Sequence, residues 1–142
     1  MAERVTINEK ALRSFGRAEV TQRMQQAMLI LQAQVQRKLS IGQPVRRSPS
    51  GRQIGLDPSK PGEAPRVLSG NLRKSIATDV SATESEIIGR VGTNVPYGRR
   101  LELGFFGTDS QGRNYNQEER PYLRPSLKEN FTRLVAIITG GK

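Results

Sequence analysis

A chain of 142 residues with 35% hydrophobic and 5% aromatic side chains has material for one modest core. It is therefore expected to form a single domain over 1–142, with long stretches solvated or covered by a partner. Cys and His are both absent, which removes disulfides, thiolate and imidazole metal ligands, and the usual general base near neutral pH. Lys and Arg number 23 against 13 acidic residues, and the net charge of +10 points to a polyanion or an acidic surface nearby.

No apolar run approaches the roughly 20 residues of a membrane span, and the first residues lack the pattern of an export signal, so no membrane partner is expected. Residues 1–18 read as an N-terminal arm or short helix. Met1 to Ile7 form a frayed tail or extended arm, and Asn8 is placed to cap a helix carrying Ala11, Leu12 and Phe15. After Gly16 a longer helix is predicted from near Glu19, with Thr21 as an alternative cap. Met24, Met28, Leu31, Val35 and Leu39 recur at steps of three and four. A Met-rich stripe can line an adaptable groove, but core packing is the plainer reading. Gln22, Gln25, Gln26, Gln32, Gln34 and Gln36 fill much of the other surface, uncharged and tolerant of close neighbours.

The helix is predicted to end at Ser40 to Gly42. An extended basic loop follows over 41–66, with Pro44, Pro58, Pro61 and Pro65 and one short strand signal at Gln53–Leu56. Its flexible tip, Arg46-Arg47-Ser48-Pro49-Ser50-Gly51-Arg52, has two readings: a solvated linker, or a contact with phosphates or an acidic neighbouring subunit. Arg46, Arg47, Arg52, Lys60 and Arg66 are the candidate partner or DNA-passage contacts. From Ile41 to Ser75 there are seven basic and two acidic residues, half of the chain's excess charge.

Ser69 is expected to cap a short turn holding Asn71 and Leu72, before Ser75–Val80 extends. A turn at Ser81–Ser85 and a β-branched run at Glu86–Gly92 complete an antiparallel hairpin, whose apolar face needs a helix over it. Pro96 is expected to open a short helix that packs on the sheet through Tyr97, Leu101 and Leu103 and closes at Gly104, with Glu102 on another side. Phe105 to Glu119 reads as an irregular hairpin or mobile loop. Arg120 to Arg124 is expected to be extended, with Pro125 opening a last helix whose buried stripe is Leu127, Phe131, Leu134, Val135 and Ile138. The predicted class is α+β.

Catalytic chemistry finds little to work with. Glu84 and Glu86 sit at a hairpin turn, nothing fixes Asp109 near Glu118 and Glu119, and Gly140-Gly141-Lys142 is not followed by the helix of a phosphate loop. No enzyme, cofactor or metal is expected. A zinc site, an RNP aromatic box and a recognisable helix-turn-helix are also missing, so contact with nucleic acid would be through phosphates and salt-sensitive. A free-standing, non-sequence-specific DNA-binding protein is the alternative reading on these grounds.

Three blocks carry a resemblance over about half the chain. Ser69-Gly70-Asn71-Leu72-Arg73-Lys74-Ser75-Ile76, Tyr97-Gly98-Arg99-Arg100-Leu101-Glu102-Leu103-Gly104 and Pro121-Tyr122-Leu123-Arg124-Pro125-Ser126-Leu127 follow in order. Together they resemble the tail-completion, or head-to-tail connector, family of tailed bacteriophages, whose members are neck or minor tail proteins. That family's pattern is Thr/Ser-Gly-x-Leu-Arg-x-Ser-Ile, a β-hairpin, Tyr-Ala-x-x-x-Glu-Phe-Gly, and Pro-Phe-Leu-x-Pro-Ala-Leu. This chain departs from it at Gly98 for Ala, Leu103 for Phe, Tyr122 for Phe and Ser126 for Ala. The resemblance implies a structural subunit of a six- or twelve-fold homo-oligomeric ring in the virion neck, assembled in the host cytoplasm. Its neighbours would be the head connector and tail-terminator or tail-tube proteins, with double-stranded DNA passing through the opening. The motif residues carried over are Ser69, Gly70, Leu72, Arg73, Ser75, Ile76, Tyr97, Glu102, Gly104, Pro121, Leu123 and Pro125.

Overall fold

A computed structural model describes residues 2–8, 16–41, 45–56, 60–65, 70–108 and 110–140, with the backbone alone at 8, 45–47, 53–56 and 115. The fold is mixed α+β. In chain order the elements are β1 (Ala2–Asn8), α1 (Arg17–Lys38), β2 (Val45–Arg47), β3 (Gln53–Leu56), α2 (Asn71–Ser75) and β4 (Ala77–Ala82). They continue with β5 (Glu86–Gly92), α3 (Gly98–Leu103), β6 (Phe105–Thr108), β7 (Asn114–Gln117) and α4 (Leu123–Ile138).

The expected hairpin is β4–β5, and Thr83 closes its turn by exchanging hydrogen bonds with Glu86. Of the two readings of Met1 to Ile7, the extended arm holds and the frayed tail does not, since Ala2–Asn8 is a full strand. β1 pairs antiparallel with β5 from Ala2↔Gly92 to Asn8↔Glu86, giving the order β1-β5-β4. Asn8 thus ends a strand, and the expected short helix at 9–15 lies outside the described residues. Val5 and Ile7 face inward beside Ile87, Gly89 and Val91, so the added strand extends the same apolar face.

That face is covered by α1, whose predicted stripe is buried in full, with Val20 and Ala27 completing it. The helix lies close to the sheet because position 89 has no side chain. A Cβ there would stand 2.7 Å from Met24 Sδ and 2.8 Å from Met28 Cγ, so the two methionines occupy that space. α1 starts two residues earlier than predicted, at Arg17 after Gly16, without a side-chain cap. Thr21 instead sends its hydroxyl back to the Arg17 carbonyl. On its polar side Gln32 Nε2 donates to Ile76 O at 2.9 Å and Gln36 Nε2 to Arg73 O at 3.3 Å. The glutamines therefore satisfy the orphan carbonyls at the end of α2.

α4 packs along α1 and the edge of β1, and here two expectations fail. The helix begins at Leu123, two residues before Pro125, although a residue preceding proline resists helical geometry. Pro125 sits inside the first turn, where its missing N–H costs no hydrogen bond. The inward line is Leu123, Ser126, Leu134 and Ile138, while Phe131 is 52% exposed. Leu127 and Val135 are partly buried, Leu127 against the core's edge, whereas Phe131 lies on the flank of α4 beside β1, where one narrow strand does not cover it. Gly140, at φ 73, ends the last turn.

Residues 41–66 contain more than a loop. β2 and β3 pair antiparallel from Val45↔Leu56 to Arg47↔Gln53, with a bulge between Arg46 and Arg47. The turn is closed by Ser48 N to Arg52 O and Gly51 N to Ser48 O, both 2.8 Å. The strand signal at Gln53–Leu56 was real, and its partner Val45-Arg46-Arg47 was hidden by its charges. The irregular alternative for 105–119 is replaced by a regular ribbon, β6–β7, in which Phe105 pairs with Gln117 and Thr108 with Asn114.

Candidate functional site

The second and third motif blocks meet at a buried carboxylate. α3 follows the turn at Pro96-Tyr97 and buries Gly98 and Glu102, whereas Tyr97 is 45% exposed and Leu101 and Leu103 are partly covered. The expected packing face of this helix is thus rotated. Its fully buried positions are the smallest residue and the one acidic residue, with Leu101 packed against the core at the edge.

Glu102 is fully buried, and its partners explain how a charge is tolerated there. Oε2 accepts from Tyr122 N at 2.7 Å and Leu123 N at 2.9 Å, and Oε1 accepts from Arg124 N at 2.9 Å. These are unpaired amides of the first turn of α4, which has no side-chain cap of its own. The carboxylate supplies the cap from 20 residues upstream, at the helix end where negative charge is favoured. It also holds Leu123 and Arg124 helical against the bias of Pro125.

Tyr122 locks the same joint from the other side. Its buried hydroxyl donates to Gly98 O at 2.9 Å, and its carbonyl accepts from Ser126 Oγ at 2.7 Å. Burial first, and then the Glu102 charge, push the phenol well above its ordinary value of 10.0. A Cβ at Gly98 would lie 2.6 Å from Thr93 Cγ2 and 2.9 Å from the Tyr122 hydroxyl. Two departures from the resembled pattern are therefore one feature: the hydroxyl of Tyr122 stands against the space that the pattern's alanine methyl would need.

The first block joins through Thr93. Its hydroxyl bonds that of Ser75 and accepts from Val95 N at 3.1 Å, while Ser75 Oγ also donates to Leu72 O. Leu72 and Ile76 are buried in the main core, Arg73 is half-buried, and Gly70 precedes α2 with φ 79. Gly104 ends α3 with φ 75, where a Cβ would stand 2.9 Å from the Gln117 carbonyl oxygen and 3.1 Å from the Glu119 amide nitrogen. Pro121, Leu123 and Pro125 enter α4 as described. Ser69 lies outside the described residues, so its expected cap is not among these contacts.

The candidate partner contacts are not brought to this cluster. Arg46 and Arg47 belong to β2, Arg52 follows the ribbon turn and is exposed, Lys60 is exposed, and Arg66 lies outside the described residues. Other exposed large apolar side chains among the described residues are Leu29 on α1, Ile41 after it, Phe106 on β6 and Phe131 on α4. Among the described residues, no three acidic side chains converge in a way that could hold a metal ion, and no helix is long and apolar enough to cross a membrane.

No family model, curated protein or solved structure matches this chain. The sequence pattern and the geometry above are what bear on its role.

Sequence reading missed the cap. Glu102 was part of a motif but was assigned to no partner. The signal was available: a proline-led helix start at Arg120-Pro121-Tyr122 offers no Ser, Thr, Asp or Asn to cap it, so the acceptor had to come from elsewhere.

Proposed function

We propose that this chain is a structural subunit of a ring in the neck of a tailed-phage virion, joining the head connector to the tail around the DNA passage. It would act without catalysis, cofactor or membrane. The observation that carries the reading is the joint at Glu102. Three blocks resembling the connector pattern, separated in sequence, meet through Ser75–Thr93, Gly98–Tyr122 and the Glu102 cap. A pattern whose members depend on one another in this way marks a fold, and a likeness in that pattern is stronger support than the same letters scattered over unrelated elements.

The rest of the molecule suits assembly. Among the described residues, β2–β3 and β6–β7 are each a two-stranded ribbon that does not join the main sheet, a marginal arrangement for an isolated ribbon in water. A cyclic assembly would cover them by contacts between unlike faces of successive copies. The charge of +10 suits a protein that touches passing DNA without reading it. Native mass spectrometry of the full chain tests the proposal, with neighbouring neck proteins added if needed. One closed species of six or twelve copies is expected. A monomer under every condition that nonetheless binds duplex DNA with a steep salt dependence would favour the free-standing DNA-binding reading instead.

A further inference from the structure

The β6–β7 ribbon has two unlike faces. Phe105 is half-buried, with the Arg100 guanidinium carbon 4.2 Å from its ring centre. The register sets Phe106 opposite Asn116 and Thr108 opposite Asn114, so these four side chains share the other face. All four are exposed, and Phe106 keeps 67% of its surface. A large aromatic side chain on the open face of a two-stranded ribbon gains nothing from the subunit's own core.

A surface that fits it lies along α4. A groove of about 410 Å³ runs between α4 and β1, with Leu127 and the exposed Phe131 as its apolar lining and Glu3, Arg124, Lys128 and Thr132 around them. The charges are complementary. Glu118 and Glu119 follow β7 and are exposed, and among the described residues neither side chain has an ionic partner. Lys128 on the groove is exposed and likewise without one, while Arg124 reaches Glu3 at 3.4 Å.

We propose that the Phe106 face of one copy's ribbon seats in the α4–β1 groove of the next copy, with Glu118 and Glu119 toward Lys128. This rests on the ring reading and names its contact. Ribbon and groove are different surfaces, so the contact is head-to-tail and repeats around a closed ring. An aromatic anchor entering an apolar groove inside a charged rim is the arrangement in which one side chain dominates binding.

The chain contains no cysteine, so introduced thiols are the only ones present. Asn116→Cys beside Phe106 and Thr132→Cys on the groove, combined in the full chain, are treated with a short bis-maleimide and run on a denaturing gel. A ladder of covalent multimers is expected from the double variant, and dimers alone from a mixture of the two single variants. Non-covalent multimers in solution that give no link between copies would overturn the contact and leave the ring standing. An internally linked monomer would overturn it too, since the ribbon would then cover its own groove. A chain monomeric throughout would overturn both readings. As a second measurement, Phe106→Ser and Phe131→Ser should keep the parent's melting behaviour and raise the concentration for assembly by about tenfold or more. Unchanged assembly in both would count against the contact.

Discussion

Glu102 shows how one residue can connect distant parts of a sequence. Its three acceptor contacts hold the first turn of α4, so Glu102→Gln should lower stability by roughly 2 kcal/mol. The amide can still accept through its oxygen but turns donors toward backbone amides. Chemical denaturation checks this, and a loss under about half a kcal/mol would show that α4 starts without the cap. Gly98 and Tyr122 should be coupled. Gly98→Ala alone is expected to cost about 1–3 kcal/mol through overpacking. In the Tyr122→Phe background the cost should fall, because the hydroxyl has gone, leaving Thr93 as the remaining obstacle. Additive losses in a double-mutant cycle would mean that the two positions do not share that space. Tyr122 also sets an alkaline limit. Its folded pKa is raised, so the unfolded chain releases the phenolic proton first as pH passes 10.0, and stability falls from there upward. Titration of the melting temperature should show that fall, and Tyr122→Phe should flatten it.

At the level of elements, the parts legible in the sequence were those fixed by local periodicity. The stripe of α1 and the β4–β5 hairpin followed from spacing alone, because the apolar side chains there outnumber any competing pattern. β1 was harder to read, since only Val5 and Ile7 mark its inner face and the strand exists by pairing with residues far downstream in the chain. The rotation of α4 was not legible either. Phe131 and Leu134 both lie on apolar-looking lines, and which one turns inward depends on where α1 and β1 stand. The two should therefore respond differently. Leu134→Ala should cost about 2–5 kcal/mol in the subunit, whereas Phe131→Ala should stay within roughly 0.5 kcal/mol. Equal losses on denaturation would contradict the observed face of the helix. The basic ribbon was half legible. The β3 run was visible, but arginines at two of the three β2 positions masked the other strand.

For the molecule as a whole, the described residues divide into a buried core and segments that stand outside it, which the proposed ring would cover. The core comprises α1, the three-stranded sheet, α2 and α4, and the Glu102 cap ties α3 to the start of α4. Outside it stand two ribbons and the exposed side chains of Leu29, Ile41, Tyr97, Phe106 and Phe131. The candidate site was legible as a motif but not as a mechanism. Ser75, Glu102 and Leu123 of the motif build the joint, and the surfaces proposed for assembly combine the β6–β7 ribbon, which the motif does not cover, with Arg124 and Leu127 from its third block. The most direct measurement of the proposed role is electron microscopy of this chain, alone or with the neck proteins that the proposal gives it as neighbours. Class averages should show a closed ring with an opening that admits duplex DNA. Discrete single subunits, or open filaments with no passage, would contradict the proposed role.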